Sequence, residues 1–211
     1  MTMKIKVAIV DDDKHYSNAL KNSIDFDDDL ECIGQIFNGC DATIQLQKMQ
    51  PNVVLMDVKL PFKKGVDVLL ELKDLMINTH FIICTHFDDD DHIFRSLKAG
   101  ATGYLLKIES LEKIIYSIKE AHCGGVPMSY SIAKKVLHHF HDHIESKVLD
   151  TLTRSEKDIL GLLVDGLQYK IIADKKSISI DTVKKHVGNI YRKLQVNNRI
   201  EAMKLYNKSN Y

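Results

Sequence analysis

The sequence predicts an α/β domain with a doubly wound, five-stranded parallel sheet, followed by a smaller all-α domain. Up to about residue 123, apolar segments of strand length alternate with amphipathic segments of helix length. Two glycines and a proline within residues 124–127 end that alternation, and only helical periodicity follows. A chain of 211 residues also has the length that two small domains need.

The predicted strands of the first domain are short apolar runs separated by helix-length segments. The strands are Ile5–Val10, Leu30–Phe37, Val53–Met56, Phe81–Cys84 and Tyr104–Leu106. The predicted helices lie near His15–Ile24, Asp41–Met49, Val66–Met76, Asp91–Ala99 and Leu111–His122. Because these intervening segments have the length of parallel crossover connections, they favour a doubly wound sheet.

Polar side chains follow four of the predicted strands. Asp11 and Asp12 follow the first strand, Asp57 the third, Thr85 the fourth and Lys107 the fifth. Ligands of open α/β sheets bind outside the carboxyl ends of the strands. We therefore expect three carboxylates, a hydroxyl and an amine to converge there.

This set of groups suits phosphoryl transfer. Clustered carboxylates repel one another unless a hard cation lies between them, and Mg²⁺ accepts one or two carboxylates while it retains water and phosphate oxygens. Asp57 can then act as a nucleophile that forms an aspartyl phosphate, while Mg²⁺ and Lys107 neutralise the phosphoryl charge and Thr85 hydrogen-bonds the product. A single aspartate at a strand end is more often a turn residue or a helix cap, so the prediction depends on the whole set.

Four segments resemble the receiver domain of two-component response regulators. They are Val7–Asp13, Val53–Pro61, Ile82–Thr85 and Gly100–Lys107. The resemblance covers residues 4–123 and implies a flavodoxin-like fold whose Asp57 accepts a phosphoryl group from a sensor histidine kinase.

The same resemblance implies roles for the residues around Asp57. Asp11, Asp12 and Asp57 would hold Mg²⁺ together with the backbone carbonyl of Lys59, and Lys107 would pair with the phosphoryl group. Thr85 and Tyr104 would form the switch pair. In the family the hydroxyl moves toward the phosphoryl group and the aromatic ring turns inward, which alters the surface of the fourth helix and fifth strand.

Two positions depart from the pattern of receiver domains. Lys64 stands where an acidic or amide residue is usual, and His86 stands where a small residue is common. Because both flank the site, we expect them to alter the rate of phosphotransfer or dephosphorylation.

Residues 124–148 are predicted to form a linker with a helical segment. Residues 130–141 regain helical spacing, and a histidine-rich patch of His138, His139, His141 and His143 overlaps the end of this segment. His139 and His143 have the spacing of two metal ligands on a helix, but the sequence offers no third ligand. A solvated linker is therefore favoured over a metal site.

Residues 149–211 are predicted to form a helix-turn-helix domain. Thr153 and Glu156 have the spacing of a capping box that begins a helix ending at Gly166. A second helix lies near Gln168–Lys175, and a third runs from about Ile180 to Leu194. The buried stripe of the third helix consists of Val183, Val187, Ile190 and Leu194.

The opposite face of the third helix is mostly polar and basic, which suits a DNA major groove. It carries Asp181, Lys185, Gly188 and Arg192, flanked by Thr182, Lys184 and Asn189. Gly188 either permits close approach to DNA or is a tolerated flaw, since glycine inside a helix costs roughly 1 kcal/mol relative to alanine.

Net charge divides the chain in the same place. Residues 1–125 carry 14 Lys and Arg against 20 Asp and Glu, whereas residues 126–211 carry 15 against 9. The acidic half can hold cations, and the basic half can bind a polyanion because cations that neutralise phosphates release counterions.

The second half resembles the LuxR-type helix-turn-helix over residues 150–208. The segments that carry the resemblance are Leu152–Glu156, Gly166–Ala173 and Ile178–Leu194. It implies DNA-backbone contacts from Lys170, Thr182 and Lys193, base-proximal contacts from Lys184 and Lys185, and a last helix, about Arg199–Tyr206, that pairs dimers.

One residue of the second half departs from the LuxR-type pattern. Lys176 stands where the family places a buried leucine, four residues after the inward-facing Ile172. Either this lysine extends its ammonium group to the surface, or its burial without a partner makes the domain less stable than its relatives.

Together the halves resemble the NarL/FixJ class of transcriptional response regulators. The predicted function is transcription control by a DNA-binding homodimer. Phosphorylation of Asp57 either releases or dimerises the basic domain. Mg²⁺ is the predicted cofactor, a sensor histidine kinase and double-stranded DNA are the predicted partners, and no enzymatic turnover is expected.

Three alternatives to this function remain. The chain could be a constitutive DNA-binding regulator that needs no phosphorylation. An aspartate-based phosphohydrolase usually has a second aspartate two residues after its nucleophile, where Lys59 stands. A ligand-sensing LuxR-type regulator is disfavoured by the acidic cluster and by the absence of tryptophan.

Overall fold

Five parallel strands form the sheet of the first domain in the order β2-β1-β3-β4-β5. They are β1 (Ile5–Val10), β2 (Leu30–Ile36), β3 (Val53–Met56), β4 (His80–Thr85) and β5 (Gly103–Leu106). The predicted doubly wound sheet is confirmed, and each strand end lies within one residue of its prediction.

The computed structural model describes residues 3–208, without the side chains of residues 141–148, 150, 207 and 208. The described chain divides into two units within one helix, the first ending at Val136 and the second beginning at Leu137. The first unit therefore extends beyond the predicted boundary at residue 123. In the described part of the chain, no helix combines the length and the apolar character that crossing a bilayer demands.

Four helices connect the five strands of the first unit and a fifth helix follows β5, as predicted. They are α1 (Lys14–Phe26), α2 (Gly39–Met49), α3 (Gly65–Leu72), α4 (Asp90–Ala99) and α5 (Leu111–His122). Side chains of Asp13, Asn38, Asp89 and Ser110 cap the N-termini of four of them, whereas Lys64 precedes α3 without a capping hydrogen bond.

The prediction that the third helix reaches Met76 is wrong by four residues. The backbone turns after Leu72, whose carbonyl accepts hydrogen bonds from the N–H groups of Leu75 and Met76. Met76 is nevertheless buried. Its apolar side chain continues the helical pattern in the sequence although the backbone has left the helix.

The sheet is buried on both faces, as is typical of parallel sheets. Ala8, Val10, Val54 and Met56 belong to one apolar cluster, and alternate residues of the same two strands belong to the other. Apolar packing on both faces of the sheet thus fixes the positions of the strand ends.

Residues just after α5 complete the first unit. Met128 forms an isolated parallel bridge with Tyr104, Ser129 Oγ accepts a hydrogen bond from the Leu106 N–H at 3.0 Å, and Ile132 is buried in the first cluster. The beginning of the predicted linker is therefore packed against β5.

A single helix, α6 (Tyr130–Asp150), continues through the rest of the linker and is longer than the predicted segment at residues 130–141. His138 is exposed and His139 half-buried on this helix. The side chains of His141 and His143 lie outside the described residues, so the suggested ligand pair stays a prediction.

Helices α7 (Arg154–Val164), α8 (Tyr169–Lys176), α9 (Ile180–Leu194) and α10 (Arg199–Lys208) form the rest of the second unit. The predicted capping box is present, since Thr153 Oγ1 accepts from the Glu156 N–H and the Glu156 carboxylate accepts from the Thr153 N–H. The four predicted stripe residues of α9 are buried in one core with α7 and α8. The all-α prediction for this half is confirmed.

Candidate functional site

The strand ends bring Asp11, Asp57, Thr85 and Lys107 together. The Lys107 ammonium lies 2.6 Å from Asp57 Oδ2 and 2.7 Å from Asp11 Oδ2. Thr85 donates its hydroxyl to Asp57 Oδ1 at 2.7 Å. The Asp57 residue is only 6% exposed, so these contacts are almost entirely shielded from water. The structure therefore brings these four side chains together, as the sequence predicts.

Asp12 completes an acidic cluster with Asp11 and Asp57. One carboxylate oxygen from each of the three residues lies within 4.8 Å of the others. Asp12 is exposed while the other two are buried, so the cluster opens to water on one side. This arrangement fits Mg²⁺, which prefers carboxylate oxygens and keeps several waters.

The backbone around Asp57 is held closely. The Asp57 N–H donates to the Val10 carbonyl, and the Lys59 N–H donates to Asp57 Oδ1 at 3.2 Å. A Cβ at Gly65 would lie 2.0 Å from the Asp57 carbonyl oxygen, so only glycine permits α3 to begin there. The carbonyl of Lys59 as a metal ligand stays a prediction.

Burial and neighbouring opposite charges shift the pKa of Asp11 in opposite directions, and the same holds for the pKa of Lys107. Burial raises the pKa of the Asp11 carboxyl, and the hydrogen bond and charge of Lys107 offset this only in part. Burial by itself lowers the pKa of Lys107, but hydrogen bonds and charges from Asp11 and Asp57 outweigh it, and the net pKa lies above the ordinary value. Lys107 therefore carries a positive charge at neutral pH.

Sequence reasoning missed two residues that line the buried side of the site. The Lys107 ammonium lies 4.9 Å from the centroid of the Tyr16 ring, and the Tyr16 hydroxyl lies 3.3 Å from Cys84 Sγ. Burial raises the pKa of the Cys84 thiol to about 12 and also raises the pKa of Tyr16. Both groups are therefore protonated at neutral pH and add no negative charge.

The predicted switch pair occupies a defined arrangement. The Thr85 hydroxyl contacts Asp57, and the Tyr104 ring is fully buried. Tyr104 donates its hydroxyl to the Phe87 carbonyl at 2.8 Å.

Phe87 was also missed by sequence reasoning, although it joins two loops. The Lys59 ammonium lies 3.8 Å from the centroid of the Phe87 ring, and the His92 ring stacks on the same Phe87 ring with 5.0 Å between centroids. The segment after Asp57 is thereby connected to the beginning of α4. The only sequence signal was the position of Phe87 shortly after Thr85.

The face of α9 opposite its buried stripe points outward. Lys184, Lys185 and Arg192 are exposed, while Thr182 and Asn189 are half-buried. Arg192 donates to Asn189 Oδ1 at 3.1 Å, and Lys184 lies 3.2 Å from Asp181. On α8, Lys170 is also exposed. These side chains are available to a nucleic acid.

Lys193 differs from the other predicted DNA contacts. Its ammonium lies 2.6 Å from Glu156 Oε2 and donates to the Thr151 carbonyl at 3.3 Å. The Glu156 residue is only 4% exposed. Burial acts to raise the pKa of Glu156, but hydrogen bonds from Lys193 and Thr153 and the charge of Lys193 outweigh it and lower the pKa. Lys193 thus neutralises a buried carboxylate at the start of α7.

Lys176 is half-buried but has a partner. Its ammonium lies 2.5 Å from Asp158 Oδ2, and about a third of its side chain is exposed, 32%. The structure therefore contains the first of the two alternatives, in which this lysine extends to the surface. An uncompensated buried charge at this position is not present.

Comparisons with known proteins match the two units separately. The model of the response regulator receiver domain matches residues 7–119, and the model of bacterial regulatory proteins of the luxR family matches residues 150–206.

Relatives of the same length extend this similarity over the whole chain. A nitrate/nitrite response regulator protein homolog from Haemophilus influenzae is 31% identical over 210 residues, which cover 100% of both chains. The transcriptional regulatory protein DesR from Bacillus subtilis is 33% identical over 199 residues, or 94% of each chain.

Solved structures agree with these relatives. The response regulator ChrA of a heme-sensing two-component system is 25% identical with a TM-score of 0.54, and the match covers 98% of each chain. A structure of the RcsB response regulator from Salmonella typhimurium has a TM-score of 0.60 at 17% identity, over 97% of this chain and 99% of that one, and so supports the fold.

Proposed function

The chain belongs to the response regulators that join a receiver domain to a LuxR-type DNA-binding domain, and from this premise we propose that phosphorylation of Asp57 controls its binding to double-stranded DNA. Response regulators take their phosphoryl group from histidine kinases, and the relatives of this chain are transcriptional regulatory proteins. A sensor histidine kinase would be the donor, and transcription in the cytoplasm, where the DNA is, would be the output.

The observation that carries this proposal is the contact of Lys107 and Thr85 with the two oxygens of Asp57. One carboxylate oxygen would attack phosphorus, so that the Asp57 O–P bond forms while the N–P bond to the kinase histidine breaks and the imidazole takes up a proton. Lys107 would then pair with a phosphoryl oxygen, and Thr85 would hydrogen-bond another.

The metal would be held by Asp11, Asp12, Asp57 and the Lys59 carbonyl. Mg²⁺ supplies positive charge to the phosphoryl oxygens when it is bound. The three clustered carboxylates of the described structure support this assignment.

The proposed DNA contacts lie on the outward face of the second unit. Lys184, Lys185, Asn189 and Arg192 would lie in the major groove, and Lys170 and Thr182 would contact the backbone. Lys193 is weaker as a contact because its ammonium pairs with Glu156. Residues 149–211 would form this domain, residues 1–123 the receiver, and residues 124–148 the connection between them.

Phosphorylation would favour a homodimer through the changed receiver surface around Tyr104. Two copies of α9 would then read half-sites one turn of DNA apart. Because the two subunits bind together, dimerisation raises affinity without any new contact to DNA.

The test compares the wild-type chain with Asp57→Asn. After incubation with acetyl phosphate and Mg²⁺, intact mass spectrometry should detect one added phosphoryl group in the wild type and none in Asp57→Asn. Asp74→Asn, which changes an exposed carboxylate on the same unit, is the control and should behave like the wild type. Footprinting on genomic DNA should detect tighter binding after phosphorylation in the wild type and in Asp74→Asn, but not in Asp57→Asn. If Asp57→Asn keeps an affinity gain that depends on acetyl phosphate, the proposed switch is wrong.

One observation favours a constitutive regulator as the second candidate. The Thr85 hydroxyl contacts Asp57 and the Tyr104 ring is buried, so both members of the switch pair lie in the inward arrangement. A constitutive regulator would bind specific DNA equally well before and after treatment with acetyl phosphate. A phosphohydrolase would instead release inorganic phosphate in steady state, which we do not expect because Lys59 stands in place of the second aspartate.

A further inference from the structure

A cleft of about 340 Å³ lies between α3 and α4, and none of the three carboxylates of the acidic cluster lines it. Its apolar lining consists of Val58, Val66, Leu70 and Ala99. Val58 and Ala99 are buried at the floor, whereas Leu70 is 48% exposed at the wall. The cleft therefore offers apolar surface that solvent can reach.

Cations surround this apolar surface. Lys64, Arg95 and Lys98 line the cleft with His92, and Asp67 is the only carboxylate among its lining residues. In the part of the chain that the structure describes, Lys64 and Lys98 form no ion pair.

The third cation is only weakly paired. Arg95 lies 3.4 Å from Asp91, with side chains 67% and 70% exposed, and an exposed pair of this kind is worth little. The first 125 residues carry an excess of acids, 20 against 14. A local group of three cations on an otherwise acidic domain, two of them without an ion pair among the described residues, therefore favours a partner that carries negative charge.

We propose that this cleft is a docking surface for an acidic, amphipathic helical segment of a partner protein. Apolar side chains three and four positions apart would lie against Leu70 and Val66, as in other helix-in-groove complexes. Acidic side chains beside them would pair with Lys64, Arg95 and Lys98, which favours this partner over neutral or basic ones. The proposal does not depend on phosphorylation of Asp57.

A nucleic acid suits the cleft less well. Its phosphates would meet Asp67 and an apolar floor that offers no hydrogen bonds. The charge pattern and the apolar lining together indicate that the ligand of the cleft is a peptide.

The test begins with a random peptide library displayed on phage and selected against the full chain. The enriched peptides should combine Asp or Glu with apolar residues at helical spacing. A fluorescein-labelled synthetic copy of the most enriched peptide is then titrated by fluorescence anisotropy. The double variant Lys64→Glu/Lys98→Glu should weaken its binding by about tenfold or more, since two attractive charge contacts become repulsive.

Matched variants separate the cleft from general charge and hydrophobicity. Lys48→Glu changes an exposed lysine of α2 that forms no ion pair among the described residues, and should alter the affinity by less than about twofold. Leu70→Ser should weaken binding, whereas Ile44→Ser, at a residue 59% exposed on α2, should not. Circular dichroism melting checks that each variant is folded.

Several outcomes would overturn the proposal. These are a library that yields no binding peptide, enriched peptides without acidic residues, equal losses in the cleft variants and their controls, or no loss in either. If the affinity for duplex DNA falls in Lys64→Glu/Lys98→Glu but not in Lys48→Glu, the cleft binds nucleic acid and not a peptide.

Discussion

Lys107 is the residue that allows two buried carboxylates to lie side by side at the strand ends. Its side chain is 3% exposed and contacts Asp11 and Asp57 at once. Like charges in such a site destabilise the fold unless a cation neutralises them. Its position after β5 was evident from the sequence, but its contact with both carboxylates depends on the neighbouring positions of β1, β3, β4 and β5.

Lys107→Met should lower the free energy of unfolding in the presence of a chelator by about 3 kcal/mol, because it leaves buried carboxylates without their cation. Added Mg²⁺ should recover part of this loss, since the ion supplies the missing positive charge. Urea denaturation with and without Mg²⁺ measures both effects. An equal loss under the two conditions would contradict the idea that ion and ammonium neutralise the same carboxylates.

Glu156 is a second buried carboxylate, and it depends on Lys193. The pKa of Glu156 is lowered in the folded protein, so its contribution to stability is present above the ordinary value and is lost as the pH falls through the lowered folded pKa. Its carboxylate also completes the capping box of α7.

Glu156→Gln should therefore destabilise the second unit at pH 7 by about 1–2 kcal/mol, the value of a helix cap with a charged partner. The difference from wild type should shrink as the pH falls below the ordinary carboxyl pKa of 4.5. Hydrogen exchange of α7 and α9 amides across pH measures it. Asp165→Asn, at an exposed position of the same unit, is the control, and a pH-independent difference would refute the assigned ion pair.

Among the helices, α9 carries a glycine, Gly188, that lowers its helix stability and lies on its outward face. Gly188 is exposed, and a Cβ added there would meet no atom within 4 Å. The glycine therefore has no packing function within the described part of the chain. The two interpretations given by the sequence, close approach to DNA and a tolerated flaw, predict different consequences of adding a methyl group.

Gly188→Ala should raise the stability of the second unit by about 1 kcal/mol, because alanine has the higher helix propensity. Thermal denaturation measures this gain. DNA titration of the same variant separates the two interpretations: a loss of affinity indicates close approach, and an unchanged affinity indicates a tolerated flaw. A drop in melting temperature would contradict the open environment of the glycine.

In the molecule as a whole, the two halves of the chain carry opposite net charges. The acidic excess of the first 125 residues includes the metal-type cluster, and the later basic excess includes the outward face of α9. DNA binding by such a basic unit should weaken as salt concentration rises, because each neutralised phosphate releases counterions.

Lys170→Gln should reduce the slope of log affinity against log salt concentration by about 1, as expected for one lost phosphate contact. Lys193→Gln should leave the slope nearly unchanged, because the Lys193 ammonium already pairs with Glu156. DNA titrations at several salt concentrations compare the two variants. An equal reduction in both would restore Lys193 as a phosphate contact.

Local patterns in the sequence are sufficient to predict the strands, most helix ends, the meeting of acidic residues with Thr85 and Lys107, and the buried stripe of α9. These features follow from local periodicity and from the rule that parallel strands end at one edge of the sheet. Such signals lie within short stretches of chain, and they need no knowledge of distant neighbours.

The partner that each charged or aromatic side chain contacts depends instead on tertiary packing. Lys193 pairs with Glu156, 37 positions away, and Lys176 pairs with Asp158, 18 positions away. The ring of Phe87 beside Lys59 and the packing of Ile132 on the sheet are of the same kind. Long side chains reach several neighbours, and only the packing of helices against one another determines which neighbour lies within a few ångströms.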